Sequence, residues 1–275
     1  METIETGRQD TIDVEARAKA IRATFSTAEK VLAAFSAPPA KVFKPAGFKA
    51  PTEQWNPDNA LSSLCSSFPN LSELISSGDK DVLDYGCGDG FQSIALARAG
   101  ARHVLGVDIK EQRLHHGRRM AEGLSNVSFS TKIEGTFDAI ISLNSFEHFP
   151  NPEENLAEMV RALSPHGQIF ISFGPPWLAP YGAHCHFFTL FPWVHLLFSE
   201  KTLFRVRSLY RDDGMQYYAP GLNRMTIRRF EGIVRGSGLR ILHKNYHTIR
   251  NIPFVDRLPF LREFFIVEVV CVLAR

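Results

Sequence analysis

The chain has 275 residues, 44% of them hydrophobic, and a formal net charge of +2. That content supports a sizeable core in one domain with appendages, and the near-zero charge gives no global reason to expect a nucleic-acid partner. No apolar run reaches the roughly 18 residues that span a bilayer.

Residues 1–10 read as a frayed terminus. From Thr11 to Phe35 the spacing of Ile21, Phe25, Ala28, Leu32 and Phe35 predicts one amphipathic helix. Ala37-Pro38-Pro39 ends it, and 36–56 read as an irregular connector. A second helix is predicted over 58–75. Strand and helix then alternate, with strands at 81–85, 103–107, 127–130, 137–142 and 167–173. Helices fall at 91–99, 111–122 and 152–163. This order argues for a parallel sheet covered on both faces. Residues 174–224 are rich in Phe, Pro, Trp, Tyr and His and follow the fifth strand. Loops at carboxyl strand ends face the ligand in such sheets, so this insertion is expected to form a substrate lid. A helix at 226–235 and strands at 239–247 and 264–273 complete the prediction. The expected division is a helical cap at 1–78 and a second unit at 79–275 that carries the lid.

The four cysteines have no C-x-x-C spacing, and the N-terminus has no apolar secretory segment. A cytoplasmic protein with reduced thiols is expected. Residues 201–275 carry 14 Lys/Arg against 6 Asp/Glu. Either solvated helix faces or an anionic partner accounts for that excess.

The most specific signal is Val82-Leu83-Asp84-Tyr85-Gly86-Cys87-Gly88-Asp89-Gly90. A short apolar run ends in an acid, and three alternating glycines lead into a helix. Glycine lets a ligand lie against the backbone and tolerates positive φ. A dinucleotide site would show G-x-G-x-x-G; here the spacing is G-x-G-x-G. The next apolar run ends in Asp108, 24 positions after Asp84. One acid near an amino group and another on a ribose suit S-adenosylmethionine better than NAD.

At these residues the chain resembles the class I S-adenosylmethionine-dependent methyltransferases, in particular their type 11 small-molecule group. The resemblance runs over about 80–173 and more loosely through the C-terminal segment. It implies a Rossmann-like, doubly wound α/β fold: a mostly parallel seven-stranded sheet with an N-terminal helical cap and the inserted lid. It places Gly86, Cys87, Gly88 and Gly90 at the cofactor, Asp84 toward its amino group, and Asp108 on the ribose. Ile109 would lie on the adenine face, Thr131 near adenine, and Asn144 and Ser145 beside the sulfonium. The aspartate that the family often places after the third strand is missing from Ser130-Thr131-Lys132-Ile133-Glu134.

Asn144-Ser145-Phe146-Glu147-His148 resembles the E-x-x-E-H of the metal-dependent subset, with Asn144 in place of its first glutamate. Two readings stay open: Glu147 and His148 brace the loop, or His148 is a general base or metal ligand. In an extended segment His184 and His186 would share a side. With Glu147 and His148 they make either a divalent-metal site, of which Glu147, His148 and His184 are the candidate ligands, or a metal-free base, or simply hydrogen-bonded lid residues. The aromatics from Phe173 to Trp193 form an acceptor pocket, a membrane-touching surface or the lid's own core. Tyr217, Tyr218, Arg205, Arg207 and Arg211 are candidates for the entrance. The expected reaction is O-methylation of a small-molecule, sugar or lipid-like acceptor. The alternatives are RNA ribose methylation and a non-catalytic S-adenosylmethionine-binding module.

Overall fold

The computed structural model describes residues 17–36, 57–185, 188–189, 191–210, 216–218 and 221–275. Seven strands form one sheet: β1 (Asp81–Tyr85), β2 (His103–Val107), β3 (Val127–Ser130), β4 (Phe137–Leu143), β5 (Leu163–Phe173), β6 (Arg240–Thr248) and β7 (Ile266–Ala274). Their order is β3-β2-β1-β4-β5-β7-β6. β1 to β5 pair in parallel, and β7 runs antiparallel between β5 and β6. This is the expected mostly parallel, doubly wound sheet. The order reverses at β1, between β2 and β4, which opens a crevice at the carboxyl ends of β1 and β2.

Successive strand residues alternate between two cores, as the pleat requires. Leu83, Leu105, Ile140 and Ile169 face a cluster with Phe146, Met159 and Phe230. Val82, Val104, Ile141 and Phe170 face Leu64, Phe68, Leu71 and Ile75. Helices Pro57–Ser67 and Pro69–Ser76 therefore form a layer of the sheet domain. The single helix expected over 58–75 breaks at Phe68, because a residue before proline is pushed out of the helical region.

The helix expected from Thr11 to Phe35 also breaks, its residues 11–16 lying outside the described residues. Helix ends at 23 and resumes as Thr27–Ala34. Ser26 caps the second piece in a box with Glu29, whose carboxylate accepts from Ser26 N at 2.7 Å. This piece packs on the insertion: Phe25 and Leu32 share a cluster with Phe188, Leu203 and Phe204. Ser36 bridges to Thr189, and the Phe35 and Phe191 rings lie 5.3 Å apart.

β5 begins four residues earlier than expected. Leu163 pairs with Phe137 across a register shift. Gly167 makes that shift possible, since a Cβ there would stand 2.9 Å from Phe137 O. Among the described residues no helix is long and apolar enough to cross a membrane.

Candidate functional site

The turn after β1 runs through Gly86 (φ +83°), Gly88 (+57°) and Gly90 (+80°). Gly86 N and Cys87 N both donate to Val107 O, at 2.8 and 2.9 Å, which ties the turn to the end of β2. Asp108 completes the tie: its carboxylate accepts from Gly88 N at 3.0 Å and from Lys110 N at 2.9 Å. Each oxygen keeps a second lone pair for a diol. A Cβ on Gly86 would stand 2.8 Å from Ser145 Oγ, and one on Gly88 2.6 Å from Arg113 Nη2. Only glycine allows Ser145 and Arg113 to approach the backbone this closely. Ser145 lies across from the turn, its hydroxyl 3.1 Å from Gly86 O and 2.9 Å from Leu143 O.

Gly86, Gly88, Asp108 and Ser145 thus come together at the crevice. Ile109 follows Asp108 and is 84% exposed, an apolar side chain presented at the lip. Thr131 is exposed beyond β3. Asn144 is exposed with φ +47°, its N–H donating to Ser172 O.

Two expected cofactor residues sit differently. Asp84 is buried beneath the turn and accepts from Ser93 Oγ at 2.6 Å. Gly90 precedes the Phe91–Arg98 helix and has no side chain to cap it. Asp84 supplies that function from the strand, at the positive end of the helix dipole. Burial raises its pKa to about 7, against the pull of the Ser93 bonds. It positions the turn rather than offering a carboxylate to solvent. Cys87 turns its side chain into a small core with Ile94, Leu114 and Phe129, leaving only its backbone at the turn. Burial pushes its thiol pKa up. Gly90 opens the helix as expected and also makes room for the Phe129 ring, since a Cβ there would stand 2.4 Å from Phe129 Cε1.

Glu147 and His148 share a short turn, Phe146–His148, beyond β4. Their side chains have different environments. Glu147 is 2% exposed. One carboxylate oxygen accepts from Gly174 N at 3.2 Å, and the other has no hydrogen-bond partner among the described residues. Burial pushes its pKa up to about 7. His148 is exposed, and its Nδ1 lies at hydrogen-bond distance from Gly221 O. A carbonyl can only accept, so Nδ1 carries the hydrogen and Nε2 is left with a lone pair. His148 titrates below an ordinary histidine: desolvation is the largest cause, the Gly221 bond opposes it, and Lys110 and Arg113 add to it. The His148 and His184 rings meet edge to face, with centroids 5.3 Å apart.

Among the described residues no three His, Cys, Asp or Glu side chains gather as metal ligands. The set Glu147, His148 and His184 does not fit a divalent ion, because Glu147 is turned under Gly174 N while His148 lies out against Gly221. His186 lies outside the described residues, as do Phe187 and Arg211.

The aromatic insertion packs largely on itself. The Trp177 ring meets those of His195 and Tyr218, at 4.8 and 4.9 Å. His195 Nε2 bonds to Trp177 O, so this histidine is structural. Arg207 and Tyr218, expected at the entrance, are buried, and Arg205 bonds to Thr24 Oγ1. Tyr217 is exposed.

Arg113 was not singled out from the sequence. Its guanidinium covers Gly88 and pairs with Asp89 at 2.9 Å. Its place five residues after Asp108, in the first turn of the Glu111–Met120 helix, is the signal that could have found it.

Residues 82–167 match the family model described as a methyltransferase domain. A ubiquinone biosynthesis O-methyltransferase of Dechloromonas aromatica (strain RCB) is 32% identical over 131 residues, which cover 43% of this chain and 56% of that protein. Its counterpart from Aromatoleum aromaticum (strain DSM 19018 / LMG 30748 / EbN1) is 36% identical over 102 residues, 34% of this chain and 43% of that protein. The chain spans about half the length of the curated relatives it matches. A solved S-adenosylmethionine dependent methyltransferase from Mesorhizobium loti superposes with a TM-score of 0.52 at 19% identity, over 76% of this chain and 98% of that one. That likeness is one of fold.

Proposed function

We propose, from the premise that residues 82–167 are a class I methyltransferase domain, that the protein methylates a hydroxyl of a small-molecule acceptor using S-adenosylmethionine. The observation that carries the reading is the glycine turn bonded to Asp108 through Gly88 N, with Ser145 facing Gly86. Asp108 would accept the ribose hydroxyls through its remaining lone pairs, Ile109 would cover one adenine face, and the backbone at Gly86 and Gly88 would pass beside the amino-acid end. The cofactor supplies an electrophilic methyl group on a sulfonium.

His148 is the candidate base. Its lowered pKa keeps the imidazole neutral at pH 7. With Nδ1 donating to Gly221 O, Nε2 would be placed to take the acceptor's hydroxyl proton while the methyl group passes from sulfur to oxygen, the sulfur keeping the bonding pair and S-adenosylhomocysteine leaving as the neutral thioether. Alignment and exclusion of water would supply much of the remaining rate, which is the role proposed for the 174–224 insertion. The names of the relatives support an O-methyl acceptor. The test is transfer of labelled methyl from S-adenosylmethionine to a panel of phenols, catechols and sugars. Transfer to a hydroxyl that is lost in His148→Gln supports the reading. Transfer only to nitrogen or carbon acceptors overturns it.

A further inference from the structure

β6 is an edge strand, and all its residues but Tyr246 and Thr248 are exposed. The segment from 249 to 261 that leaves it is more unusual. Phe254 is 65% exposed, Phe260 73% and Leu258 48%, with Ile252 and Leu261 close to 40%. Single exposed apolar residues need no explanation, but Ile252, Phe254, Leu258, Phe260 and Leu261 exposed together within one short segment point to an interaction surface.

The charge around the group says what kind. Arg250 and Arg257 are exposed, pair with no acid among the described residues, and flank the apolar side chains. The Arg257 guanidinium lies over the Phe254 ring, 5.3 Å from its centroid. Asp256 is the one acid between 249 and 262. A second copy docked on this segment would set these arginines against their own copies. An anionic surface would neutralise them while it buried the phenylalanines.

Topology gives the orientation. β6 is antiparallel to β7, and β7 is antiparallel to β5. β6 therefore ends at the same edge of the sheet as β1, β2, β4 and β5, where the glycine turn and His148 lie. A flat anionic layer docked on 249–261 would lie beside the open end of the crevice.

We propose that the 249–261 segment is an interfacial anchor that seats this edge of the protein on an anionic lipid bilayer. Aromatic and aliphatic side chains flanked by arginines suit the headgroup boundary, where the apolar parts leave water and the guanidiniums meet phosphates. The anchor is separate from the methyl-transfer reading and stands or falls without it.

Sedimentation of the full chain with vesicles tests it. Wild-type protein is expected to partition onto phosphatidylcholine vesicles that contain phosphatidylglycerol, far less onto pure phosphatidylcholine, and less at high salt. Phe254→Ser/Phe260→Ser should lower the partition coefficient at least about tenfold through lost apolar burial. Arg250→Gln/Arg257→Gln should lower it roughly tenfold through lost charge. All four side chains are exposed, so both variants should keep the wild-type thermal midpoint. No partition of the wild type onto anionic vesicles would overturn the proposal, as would unchanged partition of both variants. A wild-type dimer that Phe254→Ser/Phe260→Ser makes monomeric would assign the surface to a second copy and overturn it as well.

Discussion

Glu147→Gln should stabilise the protein at pH 8 and leave it nearly unchanged at pH 5. The carboxyl is buried, with a hydrogen bond from Gly174 N and one oxygen that has no partner among the described residues. Burial raises its pKa from 4.5 to about 7. A folded-state pKa above the unfolded one favours the neutral acid. The resulting stability is fully present below about pH 4.5 and is lost as pH rises through 7. The shift corresponds to about 3–4 kcal/mol, at about 1.4 kcal/mol per pH unit. Glutamine is nearly isosteric with the neutral acid and keeps an oxygen for Gly174 N. At pH 8 the variant should therefore gain up to about 3–4 kcal/mol, or roughly 5–7 °C in midpoint for a chain of this size. Thermal unfolding followed by circular dichroism at both pH values measures the difference. A variant that melts below wild type at pH 8, or by the same offset at both, would refute the burial argument.

Gly88→Ala forces a side chain onto a φ of +57° and into Arg113, so weaker cofactor binding and a loss of about 1–2 kcal/mol in stability are expected by calorimetry and thermal unfolding. His148→Gln should lower kcat about 10²- to 10⁴-fold while S-adenosylmethionine affinity stays within about twofold, measured by steady-state kinetics and titration. In the wild type kcat should fall as pH drops below neutrality and His148 takes up a proton, with a midpoint below that of an ordinary histidine. Ser93→Ala leaves Asp84 without its 2.6 Å hydroxyl donor, and a loss of about 1–3 kcal/mol in thermal stability is expected because the carboxyl is buried.

The sheet was legible because its strands are short apolar runs bounded by glycine, proline and acids, and their parallel order follows from the helices between them. The glycine turn and Asp108 were legible from spacing alone. The break at Ser26 was also written in the sequence, as Ser26-Thr27-Ala28-Glu29, but a continuous apolar spacing masked it. The burial of Asp84 and the packing of Gly90 were not legible. They depend on Ser93 and Phe129, which only the fold brings close. Arg113 escaped because a charged residue on an amphipathic helix ordinarily reads as solvated surface. The apolar side chains of 249–261 escaped for the opposite reason, since leucine and phenylalanine read as core until their exposure is seen.

Calorimetric titration of wild type and Asp108→Asn with S-adenosylmethionine and S-adenosylhomocysteine tests the central claim most directly. Asparagine keeps an acceptor for Gly88 N but loses the charge and one acceptor for the ribose. Micromolar binding by the wild type, weakened roughly 10- to 100-fold in Asp108→Asn, is the expected result. No binding by the wild type, or equal binding by both proteins, would contradict it.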